Sequence, residues 1–470
     1  MEYHSKYLKY KEKYIQLKKG GGILEATSEN MDFFFTFNSS KQLILDKYQN
    51  FNNLELMDLN MVKIGKTSAN GFIYKLKFNN ENDSDSFNTI LKTSIDKKSD
   101  NNYYEFVVGN CINKFKEYFP NFVYTFNYLT LSQLLKNKLK DARIFNKIEF
   151  IKDVEMKKIN VNELQNNVNV GNGCENNDRA SVLIEFIPNS LTLNDLTKNP
   201  NFLSSIDNLN MEIYNILFQV YFVLSALKEV YTHYDLHTEN IMFIEIPAMK
   251  KMQIDYNIEG RIFSIYTSFI PVILDYGRSF VDCLNIDGLT YSKIFSEVVC
   301  DNPKCNSSKH PKCNTKSVGL VIEKDNDDVY SKQADFHNIN LRNKNESFDL
   351  RYLHNFMLIV NDSLQIKNDY NKYFEKEDKW VTRDPRTRKI KTNEKGKTII
   401  NFGVKEDLSD FLNTKKISNT TDCLKWLLGL HSKIYNTYQN KDIYGLMKIN
   451  YNFKERVKWT FERKSNIQII

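Results

Sequence analysis

The chain has 470 residues and a net charge of +7, from 65 Lys and Arg against 58 Asp and Glu. This surplus is too small for the length to indicate specific nucleic-acid binding, and a hydrophobic content of 41% excludes wholesale disorder. No apolar run reaches about 18 residues, and the first residues do not resemble a secretory signal, so we expect neither a membrane span nor secretion. Seven cysteines without regular spacing over most of the chain favour a reduced, intracellular protein.

An amphipathic helix followed by a glycine linker is predicted within residues 1–22. Its apolar positions recur at helical spacing and are Tyr3, Tyr7, Tyr10, Tyr14 and Leu17. Three glycines at 20–22 end the run. Two interpretations stay open, since this helix can pack on its own domain or dock, through residues 3–17, to a helix of a partner.

A first, β-rich domain is predicted for residues 23–188. Short apolar runs separated by polar turns predict several strands. They cover residues 61–65, 71–78, 89–93, 121–129 and 181–186. A helix is predicted over 103–118, and the Asn- and Gly-rich segment 160–178 has the composition of a flexible insertion.

A second, mainly helical domain is predicted for residues 189–470. The helix from Met211 to Tyr231 is apolar over much of its surface, so we expect it at the centre of this domain. Further elements are predicted, namely strands at 241–246, 252–256, 261–267 and 271–276 and a helix at 421–438. A β-rich domain followed by a mainly helical one, with polar motifs at the junction, predicts a bilobal α+β enzyme.

The strongest motif is the run H-Y-D-L-H-T-E-N at 233–240, which lies between the long helix and an apolar strand. Phosphoryl transfer needs a carboxylate that orients or deprotonates the attacking hydroxyl, and a nearby amide oxygen can hold a metal ion on the nucleotide phosphates. Asp235 and Asn240 lie on one loop and can perform these two tasks.

A second motif, D-Y-G at 275–277, directly follows a strand. The carboxylate of Asp275 suits direct ligation of Mg²⁺, and Gly277 lets the chain turn sharply after it. The alternative for both motifs is that their acidic residues are satisfied by local turns. That alternative requires the ordered strand–loop–strand context of both motifs to arise by accident.

Together the two motifs resemble the catalytic loop and the metal-binding loop of the protein kinase superfamily, in the same order and each after the expected element. The resemblance implies a bilobal protein-kinase-like fold, ATP and Mg²⁺ as cofactors, and phosphate transfer to Ser or Thr of a protein substrate. It implies catalytic roles for His233, Asp235, Asn240 and Asp275, with Mg²⁺ on Asn240 and Asp275. The Tyr- and Lys-rich start also resembles proteins of giant DNA viruses, which implies a host cytoplasm or virion location.

The resemblance also implies a nucleotide site in the first domain. Residues from Ile64 to Ile73, with Gly65 and Gly71, resemble a degenerate glycine-rich loop, so these four residues are nucleotide-binding candidates. A plain hairpin is the alternative. Lys92 resembles the strand lysine that contacts the nucleotide phosphates.

Further kinase parts follow by position. Glu105 is the expected partner of Lys92, and Glu117 is the second choice. The segment 184–187 resembles the hinge, in which backbone groups of Glu185 and Ile187 face adenine. Asp349 resembles the buried carboxylate that braces the catalytic loop, although an ordinary Asp at a helix start has the same pattern.

Several departures from the family pattern keep alternatives open. Tyr234 stands where regulated kinases carry Arg, His237 stands where Ser/Thr kinases carry Lys, and no A-P-E follows the D-Y-G. With His237, the loop pattern H-x-D-x-H-x-x-N also resembles that of small-molecule kinases. A small-molecule or lipid kinase and a non-catalytic virion or scaffold protein therefore remain the alternative functions.

Two segments of the second domain allow separate interpretations. Four zinc-type ligands in a C-x4-C-x4-H-x2-C arrangement are Cys300, Cys305, His310 and Cys313. They can hold a structural Zn²⁺, or the cysteines can be disulfide-bonded or inert. The basic stretch 379–397 can bind an acidic partner, or it can be a solvated loop.

Overall fold

The computed structural model of the protein describes residues 41–64, 71–79, 86–94, 102–156, 180–187, 190–199, 202–203, 206–247, 250–282, 344–346, 348–373, 417, 419–435 and 443–463. Several sequence predictions lie outside these residues. They are the helix within 1–22, Gly65, the insertion 160–178, the zinc candidates Cys300, Cys305, His310 and Cys313, and the basic stretch 379–397.

The described residues form a mixed α/β protein, which confirms the coarse fold prediction. The described helices are α1 (Lys41–Lys47), α2 (Asn102–Phe115), α3 (Gln133–Asp141), α4 (Lys147–Asp153), α5 (Leu193–Leu196), α6 (Ile206–Ala226), α7 (Leu350–Ile359), α8 (Gln365–Tyr373) and α9 (Thr420–Tyr435). Short 3₁₀ turns occur at Gln49–Phe51, Leu54–Leu56 and Phe453–Glu455.

The described strands are β1 (Asn60–Ile64), β2 (Gly71–Asn79), β3 (Ser86–Ser94), β4 (Thr125–Leu131), β5 (Ile144–Asn146), β6 (Val154–Met156), β7 (Ala180–Glu185), β8 (Ser190–Leu191), β9 (Tyr231–Thr232), β10 (Ile241–Glu245), β11 (Lys251–Ile258), β12 (Arg261–Thr267), β13 (Phe269–Ile273), β14 (Phe280–Val281), β15 (Ile443–Asn450) and β16 (Thr460–Arg463).

A seven-stranded antiparallel sheet, in the order β5-β1-β2-β3-β7-β4-β6, is built by the first part of the chain. Strand β2 shows why it forms, because its residues alternate between the two faces. Phe72, Tyr74, Leu76 and Phe78 are buried on one face and join a hydrophobic cluster that the first part of the chain forms by itself. The other face of β2 is polar or half-exposed.

The long helix α6 belongs to a second hydrophobic cluster, as expected. It begins at Ile206 and ends at Ala226, whereas the sequence predicted Met211 to Tyr231, and Tyr231 instead lies in β9. Two of the buried polar side chains of α6 donate hydrogen bonds to carbonyl groups of neighbouring strands. Asn215 Nδ2 donates to the Tyr266 carbonyl at 3.0 Å, and Gln219 Nε2 donates to the Phe269 carbonyl at 2.9 Å. Burying an amide without a partner is costly, so these bonds make a polar helix position compatible with the core.

The second part of the chain contains more β-structure than the mainly helical domain that we expected. The predicted hairpin β11–β12 belongs to a four-stranded sheet in the order β12-β11-β15-β16, and β15 runs parallel to β11. A three-stranded sheet, β13-β10-β8, and the pair β14-β9 lie in the same part of the chain. The parallel pairing of β11 with β15 joins segments far apart in the sequence, so local periodicity does not reveal it.

The segment between α2 and β4 joins the two parts of the chain directly. Phe122 forms a parallel β-bridge with Ile273. The Ile273 N–H donates to the Asn121 carbonyl at 2.7 Å, and the Val123 N–H donates to the Ile273 carbonyl at 3.2 Å. Strand β13 is therefore fixed to the first part of the chain at the residue where it ends.

Two further predictions concern cysteines and membrane spans. Cys423 on α9 is a buried free thiol, whereas the buried Cys111 on α2 is disulfide-bonded. The expectation of reduced cysteines therefore does not hold for Cys111. Within the described part of the chain, none of the helices combines the length and the apolar character that crossing a bilayer requires.

Candidate active site

Lys92 on β3 joins two of the predicted site residues. Its Nζ lies 2.7 Å from Glu105 Oε2 and 3.0 Å from Asp275 Oδ1. Glu105 is only 2% exposed and is presented by the first turn of α2. The second choice for this partner, Glu117, instead pairs with Lys41 and Lys458. The short sequence gap between Lys92 and Glu105 is therefore compatible with the ion pair.

Asp275 follows β13 directly and has a left-handed backbone, with φ of +66°. Few residues other than glycine adopt this conformation, and it often marks a constrained functional position. Burial raises the pKa of Asp275, but the charge and hydrogen bond of Lys92, with the charge of Arg278, outweigh it. The pKa falls to about 2, so the carboxylate is ionised at neutral pH.

Tyr276 anchors the loop that carries Asp275. Its hydroxyl accepts from the Val123 N–H at 2.8 Å and can donate to the Ile273 carbonyl at 2.9 Å. The side chain is 2% exposed, and burial raises the pKa of its hydroxyl well above the ordinary value. This buried anchor holds Asp275 at the point where the two parts of the chain meet.

The loop at 233–240 is braced by Asp349, as the sequence predicted. Asp349 Oδ2 accepts from the His233 N–H at 2.8 Å, and Oδ1 accepts from the Tyr234 N–H at 3.0 Å. Tyr234 has a φ of +63°, so the loop turns sharply there. The alternative of a simple helix cap does not apply, because Asp349 makes no side-chain capping bond to α7.

His233 connects the two loops and is fully buried. Its Nδ1 accepts from the Asp235 N–H at 3.2 Å, and its Nε2 lies 2.9 Å from the Leu274 carbonyl. These two contacts favour the neutral form with the proton on Nε2. Burial also lowers the pKa of His233 to about 4, so the ring is uncharged at neutral pH.

Asn240 is held beside both loops because it directly precedes β10, which pairs with β13. Its Nδ2 donates to the Asp235 carbonyl at 2.8 Å, and its own carbonyl accepts from the Leu274 N–H at 3.1 Å. Since Ile241 pairs with Ile273 in an antiparallel ladder, Asn240 and Asp275 lie at the same edge of this sheet. An amide oxygen and an ionised carboxylate there are ligands of the type that Mg²⁺ takes.

The carboxylate of Asp235 is 13% exposed and is paired with cations. Arg278 Nη1 lies 2.7 Å from its Oδ2, and Arg351 Nη1 lies 3.8 Å from its Oδ1. Burial raises the pKa of Asp235, and the charge of Arg278 opposes this rise without cancelling it.

One face of the seven-stranded sheet carries the remaining nucleotide candidates. The strand register places Ile64, Ile73, Lys92 and Val182 in one row across β1, β2, β3 and β7. Ile64 and Ile73 are 39% and 38% exposed, so an apolar surface lies beside the lysine amine. Gly71 begins β2 at the end of the predicted glycine-rich loop.

The predicted hinge residues Glu185 and Ile187 are both buried at the end of β7. The Glu185 N–H donates to the Tyr124 carbonyl at 2.8 Å. The Glu185 side chain forms a buried ion pair, with Lys116 Nζ 2.5 Å from its Oε2. This pair was not predicted, because nothing in the sequence distinguishes Lys116 from the many solvated lysines.

The structure thus brings together Lys92, Glu105, Asp235, Asn240 and Asp275. Among the residues that the structure describes, no group of three or more His, Cys, Asp and Glu side chains is arranged to hold a metal ion. A site with one carboxylate and one amide fits Mg²⁺, because this ion keeps several waters and binds substrate phosphates.

Arg278 and Tyr276 are site residues that the sequence interpretation missed. Tyr276 is adjacent to Asp275 in the sequence and Arg278 follows three residues later, and that proximity to a functional carboxylate was the available signal. In comparisons with known proteins, no family model matches the chain, and no curated protein matches its sequence.

Proposed function

We propose that this protein is an ATP-dependent phosphotransferase with a bilobal protein-kinase-like architecture. It would transfer the γ-phosphate of ATP to a hydroxyl, with a Ser or Thr side chain of a protein as the acceptor. In this proposal residues 23–188 form the first lobe and residues 189–470 form the second. One hydrophobic cluster lies wholly within residues 45–183, which supports a first lobe, whereas the other joins residues of α2, β4 and β7 to the second part of the chain.

The convergence of Lys92, Glu105 and Asp275 is the observation that carries the proposal. The three charges come from β3, α2 and the loop after β13, so no local turn explains their meeting. A lysine held between the buried carboxylate of Glu105 and the partly exposed carboxylate of Asp275 is an ion-pair arrangement suited to binding phosphates, since it is fixed before the nucleotide arrives.

The nucleotide would lie against the face of the sheet that carries Ile64, Ile73 and Val182. These apolar side chains suit the adenine ring, and backbone groups at Glu185 and Ile187 would face its polar edge. Lys92, next in the same row, would bind the phosphates. The strand register supports this placement in so far as Lys92 is the direct neighbour of Ile73 and Val182 in the row.

Asp235 would orient the acceptor hydroxyl and accept its proton. Asp275 and Asn240 would hold Mg²⁺, which neutralises phosphate charge when it is bound. His233 would act through its neighbours, since it is neutral and joins the Asp235 N–H to the Leu274 carbonyl. Positioning and charge would therefore supply most of the rate.

Transfer of radiolabelled phosphate by the purified protein tests the proposal. We expect Asp235→Asn to lower the turnover by about 10²- to 10⁴-fold while Mg·ATP binding stays within a few-fold of wild type. Lys92→Ala should weaken Mg·ATP binding. Lys77→Ala is its matched control, because this lysine lies on the neighbouring strand β2 with a largely exposed side chain.

The acceptors in the assay separate the alternatives. Labelled generic protein substrates support a protein kinase, whereas transfer to small hydroxyl compounds alone identifies a small-molecule kinase. Equal turnover by wild type and Asp235→Asn refutes the role of Asp235. If Mg·ATP causes no thermal shift and no acceptor is labelled, the result favours a non-catalytic scaffold.

A further inference from the structure

Arg278 forms an ion pair that the proposed function does not explain. Its Nη1 lies 2.7 Å from Asp235 Oδ2, and its side chain is 19% exposed. A cation bound to a carboxylate lowers its basicity, which opposes the role of Asp235 as a proton acceptor. The contact therefore needs a reason other than support for that role.

Arg278 also lies on the same short loop as Asp275. The guanidinium therefore reaches from the loop of Asp275 to the carboxylate of Asp235, with Nη1 2.7 Å from Asp235 Oδ2. In the proposed function, the transferring phosphoryl group would lie between the residue that orients the hydroxyl and the residue that binds the metal. Arg278 is therefore within reach of this group.

We propose that Arg278 is a further catalytic residue, whose guanidinium binds the transferring phosphoryl group. This inference rests on the proposed function. The acceptor oxygen forms a bond to the γ-phosphorus, and the bond from that phosphorus to the β,γ-bridging oxygen breaks, so ADP leaves with the electron pair. The hydroxyl proton passes to Asp235, while Arg278 remains protonated and stabilises the charge on the equatorial oxygens.

The ion pair with Asp235 holds the arginine ready while the acceptor is absent. A guanidinium is planar and has several N–H donors, so it can bind phosphoryl oxygens with little loss of geometry. When its donors turn to the phosphoryl group, Asp235 becomes available to the acceptor hydroxyl. Arg351 is a matched comparison, because it approaches the other oxygen of Asp235 at 3.8 Å from the start of α7.

Steady-state phosphate transfer and Mg·ATP binding by four variants test this role in the full-length protein. Arg278→Gln should lower kcat by about 10²- to 10³-fold with the Kd for Mg·ATP changed by less than about threefold. Arg278→Lys should recover on the order of tenfold of the lost kcat, since it restores the charge without the planar fork. Arg351→Gln should lower kcat by less than about threefold. Arg278→Met keeps the aliphatic stem and replaces the glutamine variant if that variant does not fold.

The outcomes separate this inference from the proposed function. If the wild type transfers phosphate and Arg278→Gln transfers it at the same rate or faster, the role of Arg278 alone is overturned. Equal losses in the Arg278 and Arg351 variants, or a lysine variant no better than the glutamine variant, also overturn it. If the wild type neither transfers phosphate nor binds Mg·ATP, the proposed function itself fails.

Discussion

Replacing Lys116 with methionine is the perturbation whose effect the structure defines best. Lys116 lies just after α2 and is 2% exposed. Its Nζ donates to Glu185 Oε2 at 2.5 Å and to the Phe122 carbonyl at 2.7 Å. Glu185 Oε2 also accepts from the Tyr124 N–H at 3.0 Å. Methionine fills a similar volume but removes the charge and its hydrogen bonds.

The expected cost is large because the substitution leaves a charge buried. Burial lowers the pKa of Lys116, and the charge of Glu185 opposes that shift, so the two side chains depend on each other. Removing one member of a buried ion pair typically costs about 3–5 kcal/mol of folding free energy. Replacing both members with apolar residues of similar size removes the stranded charge. We therefore expect Lys116→Met/Glu185→Leu to be less destabilised than Lys116→Met alone.

Urea unfolding of the wild type, the two single variants and the double variant measures this coupling. The fluorescence of Trp459 is a suitable local probe, because its indole N–H donates to the Lys116 carbonyl at 2.9 Å. We expect the lowest midpoints for the single variants and partial recovery in the double variant. If the effects of the two single variants simply add in the double variant, the reasoning about a mutually dependent buried pair is refuted.

Two further predictions concern a buried acid and a close contact. Burial raises the pKa of Asp349 to about 7 from an ordinary 3.8. Between these two pH values the folded protein keeps a proton on Asp349 that the unfolded chain has lost. The stability that this proton contributes is therefore lost as the pH rises through 7. In thermal unfolding, the free-energy advantage of the wild type over the non-titrating Asp349→Asn should therefore shrink by about 2–3 kcal/mol between about pH 5 and pH 8. An advantage that grows with pH contradicts this prediction. A Cβ at Gly109 would lie 2.1 Å from Thr125 Oγ1, so Gly109→Ala should lower the free energy of unfolding by about 1–3 kcal/mol. On α9, Gly429→Ala is the control, since a Cβ there meets nothing within 4 Å and alanine favours the helix by about 1 kcal/mol. Equal stabilities of the two alanine variants would show that α2 can move away from β4.

Local sequence patterns predicted most elements of the fold that carry the candidate site. Alternating burial in β2 and the apolar surface of α6 follow directly from residue periodicity, and both elements are present. The bracing role of Asp349 was also predicted, from the resemblance of its position before an apolar helix to the kinase pattern, whereas the local pattern alone equally allowed an ordinary helix-start Asp. In each case the signal lies within a few residues of the element.

Contacts between distant segments were not predictable in the same way. The pairing of β15 with β11 depends on packing across much of the chain, and strand periodicity does not specify a partner. The ion pair between Arg278 and Asp235 depends on the shapes of two loops, both of which contain a residue with positive φ. The burial of Lys116 is likewise a property of the assembled structure, since lysine is usually exposed.

The bracing of the 233–240 loop has a consequence for biosynthesis. The backbone N–H groups of His233 and Tyr234 donate to the carboxylate of Asp349, more than a hundred positions later in the chain. A ribosome must therefore translate well past both loop motifs before this backbone is satisfied. The nascent first sheet can form earlier, because its own hydrophobic cluster is complete by residue 183. The order of synthesis thus allows the sheet to fold before the backbone of the site can be completed.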